Sequence, residues 1–255
     1  MTSELLKSLR LIFTALAWST YSHAQEIKPS VTEDWSHKPP IVSPSKKTNV
    51  PSDAIVLFQE KKDITKWEHG DSAPVKWQVK GKTLRIVKDA TDIRTKQKFG
   101  SVQLHIEWRT PDQKEDESTS RGNSGILFMG LYELQIYESY QYQTKLYYNG
   151  IAGSIYKQYA PLVNASLPAQ TWQTFDVVFE APVFNENKTL DRPAYVTVFY
   201  NGVLIHNHVE LKGPTRYTGY PEYQYHENKL PLTLQEHDSR VSFRNIWVRE
   251  LNVEN

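Results

Sequence analysis

Gly122-Asn123-Ser124-Gly125-Ile126-Leu127-Phe128-Met129-Gly130-Leu131-Tyr132-Glu133-Leu134-Gln135-Ile136-Tyr137-Glu138-Ser139-Tyr140 reads as two short strands joined at Gly130. Successive strand side chains point to opposite faces, so Glu133, Gln135 and Tyr137 share one face and Leu134 and Ile136 take the other. A sheet buries its apolar face against a second layer. The remaining face then lines up a carboxylate, an amide and a phenol for a ligand, although a solvent-facing strand also alternates in this way.

Working outward, similar runs recur: Ala54 to Phe58, Trp77 to Val79, Thr83 to Val87, Val102 to Arg109, Thr174 to Glu180, Ala194 to Tyr200, Val203 to Val209, Leu232 to Glu236 and Val241 to Glu250. No window keeps a helical period over three turns. Many short strands at close spacing predict an all-β protein, a sandwich or jelly roll. Asn201-Gly202, between two such runs, predicts a type I′ hairpin, because both central positions need positive φ. Gln113 to Ser120 is polar and aperiodic and is expected to be a loop.

Residues 1–24 carry Lys7 and Arg10, an apolar run from Leu11 to Trp18, and Ser22-His23-Ala24, the pattern of a secretory signal peptide cut after Ala24. Residues 25–53 contain Pro29, Pro39, Pro40, Pro44 and Pro51 and are expected to be an extended leader, with the folded domain spanning 54–255. No stretch reaches the ~20 apolar residues of a membrane span. The 255 residues include no Cys, which excludes disulfides and a thiol nucleophile. Thirty Lys and Arg against 29 Asp and Glu give a net charge of +1 and no field for nucleic acid. An exported protein, periplasmic or extracellular, is the expectation.

Three strands offer chemistry. Alternation in Val102 to Arg109 puts Gln103, His105, Glu107 and Arg109 on the polar face, so Glu107 and Glu133 form an acid pair if both line one sheet. Such crowding would push one toward its protonated form and supply an acid and a base. Leu232 to His237 brings Thr233, Gln235 and His237 together, and His237 can exchange protons near neutral pH. Arg244 could pin a carboxylate or steady an oxyanion. Metal ligation is weakly signalled: His105 and Glu107 supply only two ligands from one strand, and His206 with His208 lacks an acidic third, so a divalent metal stays open and no cofactor is assigned. A phosphate loop, a nucleophile elbow and a dinucleotide fingerprint are absent.

A longer series of motifs is more specific. It runs Asn123-Ser124-Gly125-Ile126, Tyr132-Glu133-Leu134-Gln135-Ile136, Gly153-Ser154-Ile155-Tyr156, Pro161 to Ser166, Trp172 to Asp176, Asn201 to Leu204, His208 to Thr215, Leu234 to His237 and Phe243 to Arg249. In that order the segments resemble the 3-keto-disaccharide hydrolase family over roughly Ala54 to Leu251. The resemblance implies a concanavalin A-like jelly-roll sandwich of two curved antiparallel sheets with the sugar site on the concave one. It also implies cleavage of glycosides already oxidised at C3, with a sugar 3-dehydrogenase as functional partner. A C3 ketone acidifies the C2 hydrogen, so a base, an enolate-facing donor and an acid for the leaving oxygen are required. On this chain Glu133 and His237 become the candidate proton-transfer pair, with Glu107 and His105 as second choices. Arg121, Arg244 and Gln135 are candidates to hold the ketone and hydroxyl oxygens, and Asn123, Tyr156, Gln158 and Gln235 to contact the sugar. Two alternatives stay open, a non-catalytic carbohydrate-binding module and a conventional two-carboxylate glycosidase.

Overall fold

The computed structural model describes residues 28–36, 38–44, 50–112, 121–142 and 146–252. The expected signal peptide and the expected 113–120 loop lie outside the described residues. Residues 1–41 and 42–255 form separate units. In the first, the described residues hold a single 3-10 turn, Pro29–Val31, and are exposed.

The second unit is built from antiparallel strands: β1 (Ile55–Phe58), β2 (Trp67–His69), β3 (Gln78–Lys80), β4 (Thr83–Arg85), β5 (Ile93–Phe99), β6 (Val102–Arg109), β7 (Ser124–Phe128), β8 (Tyr132–Ile136), β9 (Gln173–Glu180), β10 (Val183–Phe184), β11 (Leu190–Arg192), β12 (Tyr195–Tyr200), β13 (Val203–Glu210), β14 (Leu230–Leu234) and β15 (Ser242–Glu250). An eight-stranded sheet runs β13-β12-β9-β6-β15-β4-β3, with β1 also paired to β15. A five-stranded sheet runs β2-β5-β14-β7-β8, and β10 and β11 form a small ribbon. Two sheets face each other across one core, a concanavalin A-like jelly-roll sandwich.

Period-2 patterning accounts for the layers. Val102, Leu104, Ile106 and Trp108 of β6 and Phe175, Val177 and Phe179 of β9 enter the core from the large sheet. Ile93, Leu234, Ile126 and Leu134 enter it from the small one, and those four residues are register partners across β5, β14, β7 and β8. The turn between β12 and β13 has Asn201 at φ 51° and Gly202 at φ 79°, the conformation an Asn-Gly type I′ turn demands. Between Arg244 and Trp247 the β15–β6 register shifts, and Asn245 sits at φ 48°. This bulge turns the Asn245 side chain back toward β6. One expectation fails locally: β8 ends at Ile136, so Tyr137 joins the core instead of continuing the Glu133 face. Among the described residues no helix is long and apolar enough to cross a membrane.

Candidate active site

The core row Ile93–Leu234–Ile126–Leu134 fixes its neighbour. One residue along each strand, Asp92, Gln235, Gly125 and Gln135 form a row on the outer face of the small sheet, and the Gln235 N–H bonds to the Gly125 carbonyl at 2.9 Å. Glu133 starts one row away, opposite Leu127, but Gly125 leaves space that its carboxyl fills. A Cβ on Gly125 would stand 2.7 Å from Glu133 Oε1. The amide of Gln235, the Glu133 carboxyl and the amide of Gln135 therefore follow one another across the sheet.

The outer edge of β8 is covered, which is why all five of its residues are buried. Gln135 N–H donates to the Ser154 carbonyl at 2.9 Å, and Tyr156 N–H donates to the Glu133 carbonyl at 3.2 Å. Thr215 closes the same edge: its hydroxyl accepts the Glu133 N–H at 3.0 Å and its own N–H donates to the Leu131 carbonyl at 2.8 Å. A pocket of about 370 Å³ opens between these segments, its floor formed by Glu133 and Gln135 and its walls by Asn123, Tyr156, Tyr217 and His237. That volume suits a small ligand.

Glu133 is only 6% exposed, and among the described residues no side chain hydrogen bonds to its carboxyl. Burial, and secondarily the charge of Asp92, push its pKa up to about 7. Gln135 is 3% exposed, and among the described residues its side-chain oxygen has no hydrogen-bond partner. His237 is exposed at the pocket mouth. Asp92, a residue the sequence reading missed, is half-buried; its Oδ1 accepts the Glu236 N–H at 2.8 Å. Burial raises the Asp92 pKa against the opposing pull of that bond, His237 and His69. Lys157, in a left-handed backbone conformation at φ 58°, lies 4.1 Å above the Tyr217 ring and donates to the Tyr217 carbonyl at 2.5 Å. It also faces the Tyr147 and Tyr156 rings, whose hydroxyls are bonded at 2.7 Å.

Of the expected site residues, Glu133, Gln135, Asn123, Tyr156, Gln235 and His237 meet in this pocket. Glu107, His105 and Arg244 do not. They project from the outer face of the large sheet, so the expected Glu107–Glu133 pair does not form: the core separates the two faces. There His105 Nδ1 bonds Asp176 at 2.6 Å, and Glu107 takes Arg244 Nε at 2.5 Å and the Asn245 amide at 2.9 Å. Arg244 also lies 4.1 Å over the Trp172 ring. Burial opposes the charged form of His105, but the Asp176 and Glu107 carboxylates outweigh it and raise its pKa to about 9. The His105 imidazolium first, then Asn245 and Arg244, overcome burial and hold Glu107 at about 2. These contacts join β6, β9 and β15 on that outer face. Gln158 is likewise spent, its amide bonding the Gly213 carbonyl at 2.9 Å and the Lys212 N–H at 2.8 Å to hold the loop that carries Thr215. Arg121 is half-buried near the start of β7 and lies outside the pocket lining. Among the described residues no group of three His, Cys, Asp or Glu could hold a metal.

Residues 53–249 match the model of the 3-keto-alpha-glucoside-1,2-lyase-like domain. The chain is similar to a crystallised protein of Parabacteroides distasonis provisionally described as a glycosyl hydrolase, at 40% identity and TM-score 0.81, over 88% of this chain and 97% of that one. A second protein from the same organism, with the same description, shares the fold at 19% identity and TM-score 0.58, over 78% and 94% of the two chains. No functionally curated protein matches. Motif order, sandwich topology and these likenesses agree, and the chain belongs to the 3-keto-alpha-glucoside-1,2-lyase-like family, a carbohydrate-active one.

Proposed function

We propose that the protein is an exported enzyme that cleaves 3-keto-glycosides by elimination across C1 and C2, followed by hydration. The observation that carries this reading is Glu133: a buried carboxyl without a hydrogen-bond partner among the described residues, its pKa about 7, on the floor of a sugar-sized pocket. As carboxylate it takes the C2 proton, acidified by the neighbouring ketone, and the electron pair passes into the C3 carbonyl as an enolate. The amides of Asn123, Gln135 and Gln235 supply donors for that charge and for sugar hydroxyls. The enolate then collapses to the C1=C2 alkene as the C1–oxygen bond breaks, and His237 at the pocket mouth gives a proton to the departing oxygen. Water adds to C1 and passes its other proton to His237, while Glu133, whose acidic proton exchanges with solvent after the leaving group departs, protonates C2, so that both groups return to their starting forms.

The test is incubation of the purified protein with a 3-keto-disaccharide and with its unoxidised parent, in D₂O, following aglycone release. Cleavage of the keto substrate alone, with deuterium at C2 of the released sugar, is expected. Cleavage of the parent would instead assign the pocket to ordinary glycosidase chemistry, and binding without turnover of either would make it a carbohydrate-binding module.

A further inference from the structure

We infer that Asp92 is a positioning residue, which aims His237 through the Glu236 amide and sets a negative charge beside the base; this rests on reading Glu133 as that base. Asp92 stands at the end of the outer-face row Asp92–Gln235–Gly125–Gln135, the row into which Glu133 leans. Its backbone is held at the head of β5: the Asp92 carbonyl meets His69 Nδ1 at 2.9 Å, and the other His69 nitrogen accepts the Lys76 N–H at 2.9 Å. Its carboxyl receives the Glu236 N–H at 2.8 Å, one residue before His237. The segment leaving β14 is thereby fixed at the point where it turns toward the pocket mouth.

The charge matters as much as the bond. Among the described residues no Lys or Arg pairs with Asp92; Arg94, two residues on, is committed to Glu68 at 3.0 Å. The charged and titratable groups that face the pair are His69 and His237 around Asp92, and Tyr156 around Glu133, with Tyr217 and Lys157 at the rim. None of these neutralises both carboxyls. Two acids in one low-dielectric row resist ionising together, so the one more deeply buried keeps its proton longer. A base that holds protons more strongly abstracts them better from carbon. Asp92 is not among the residues that line the pocket, so the effect acts through Glu133.

Two variants separate bond from charge. Asp92→Asn keeps an Oδ1 acceptor for Glu236 and removes the charge, so the acid limb of kcat/KM should move down by about one pH unit with KM little changed. Asp92→Ala removes both, and should lower kcat by a further tenfold or so as His237 loses its aim. Carboxyl ¹³C titration reads the coupling without turnover: Asp92→Asn should lower the Glu133 midpoint, whereas Glu133→Gln should leave that of Asp92 in place, because Asp92 ionises while Glu133 still holds its proton. An acid limb and a Glu133 midpoint unmoved in Asp92→Asn would overturn the inference. If that variant does not fold, a Glu133 midpoint unmoved in Asp92→Ser does so. Coupled titrations in a protein that cleaves no keto-glycoside would leave the Asp92–Glu133 relation standing and remove the proposed reaction instead.

Discussion

The Glu133 carboxyl occupies the place where Gly125 has no side chain, with Oε1 only 2.7 Å from the position a Cβ would take. The contact is with the end of a flexible side chain, and Gly125 lies in a strand without positive φ. Gly125→Ala should therefore displace the carboxyl and leave the fold intact. A shift of about 1 Å at a reacting group costs on the order of 100-fold in rate. We expect kcat to fall by about that factor with the melting temperature within a few degrees of the parent. Equal turnover would show that Glu133 is not held where the reaction needs it.

Burying the Glu133 carboxyl has a cost that the pH profile of stability should expose. Its pKa rises from 4.5 to about 7 on folding, so the folded state holds the extra proton between those values. Stability from this group is fully present below pH 4.5 and lost as pH rises through about 7. Glu133→Gln removes the titration, and above pH 7 it should stabilise the protein by about 3 kcal/mol while abolishing turnover. Urea unfolding at pH 5 and pH 8 checks this. A variant less stable than the parent at pH 8 would mean that the carboxylate has a stabilising partner.

The second glutamate should behave in the opposite sense. Glu107 is held at about 2 by His105, Asn245 and Arg244, so its contribution is present above pH 4.5 and lost as pH falls through about 2. Glu107→Gln leaves His105 and Arg244 short of a counter-charge, and should cost about 2 kcal/mol at neutral pH, part of it screened because the group is partly solvated. Since it sits on the other sheet, kcat/KM should be unchanged. A large loss of turnover in a fully folded variant would return Glu107 to the reaction.

These opposite roles show how far the sequence could be read. Parity within a strand is local, so the outward faces of β6 and β8 were legible from Val102 to Arg109 and from Tyr132 to Ile136. Which sheet each strand joins is set by distant partners, and alternation carries no such information, so Glu107 and Glu133 looked equally suited to one site. The missing acid has a related cause. Strand β5 is Ile-Arg-Thr-Lys-Gln-Lys-Phe, with Lys96, Gln97 and Lys98 exposed in succession, and has no alternating apolar set to mark it. Without β5 there was no frame in which Asp92 faced Gln235. The edge strand β2, Trp67-Glu68-His69, escaped because it has a single apolar residue and so no alternation to mark it.

The rim of the pocket gives the last test. Lys157 ties down the 213–217 loop through the Tyr217 carbonyl and ring, and that loop places Thr215 on the Glu133 backbone. Cation–π and charge-assisted contacts of this partly exposed kind are each worth about 1 kcal/mol. Lys157→Met keeps the aliphatic stem and removes the charge, so the loop should loosen while the floor of the pocket stays intact. KM for a 3-keto-disaccharide should rise about five- to tenfold with kcat within about twofold, and hydrogen exchange at the Tyr217 and Thr218 amides should accelerate. An unchanged KM with accelerated exchange would place the rim outside the substrate's reach, and a fall in kcat alone would mean that the loop acts on Glu133 rather than on binding.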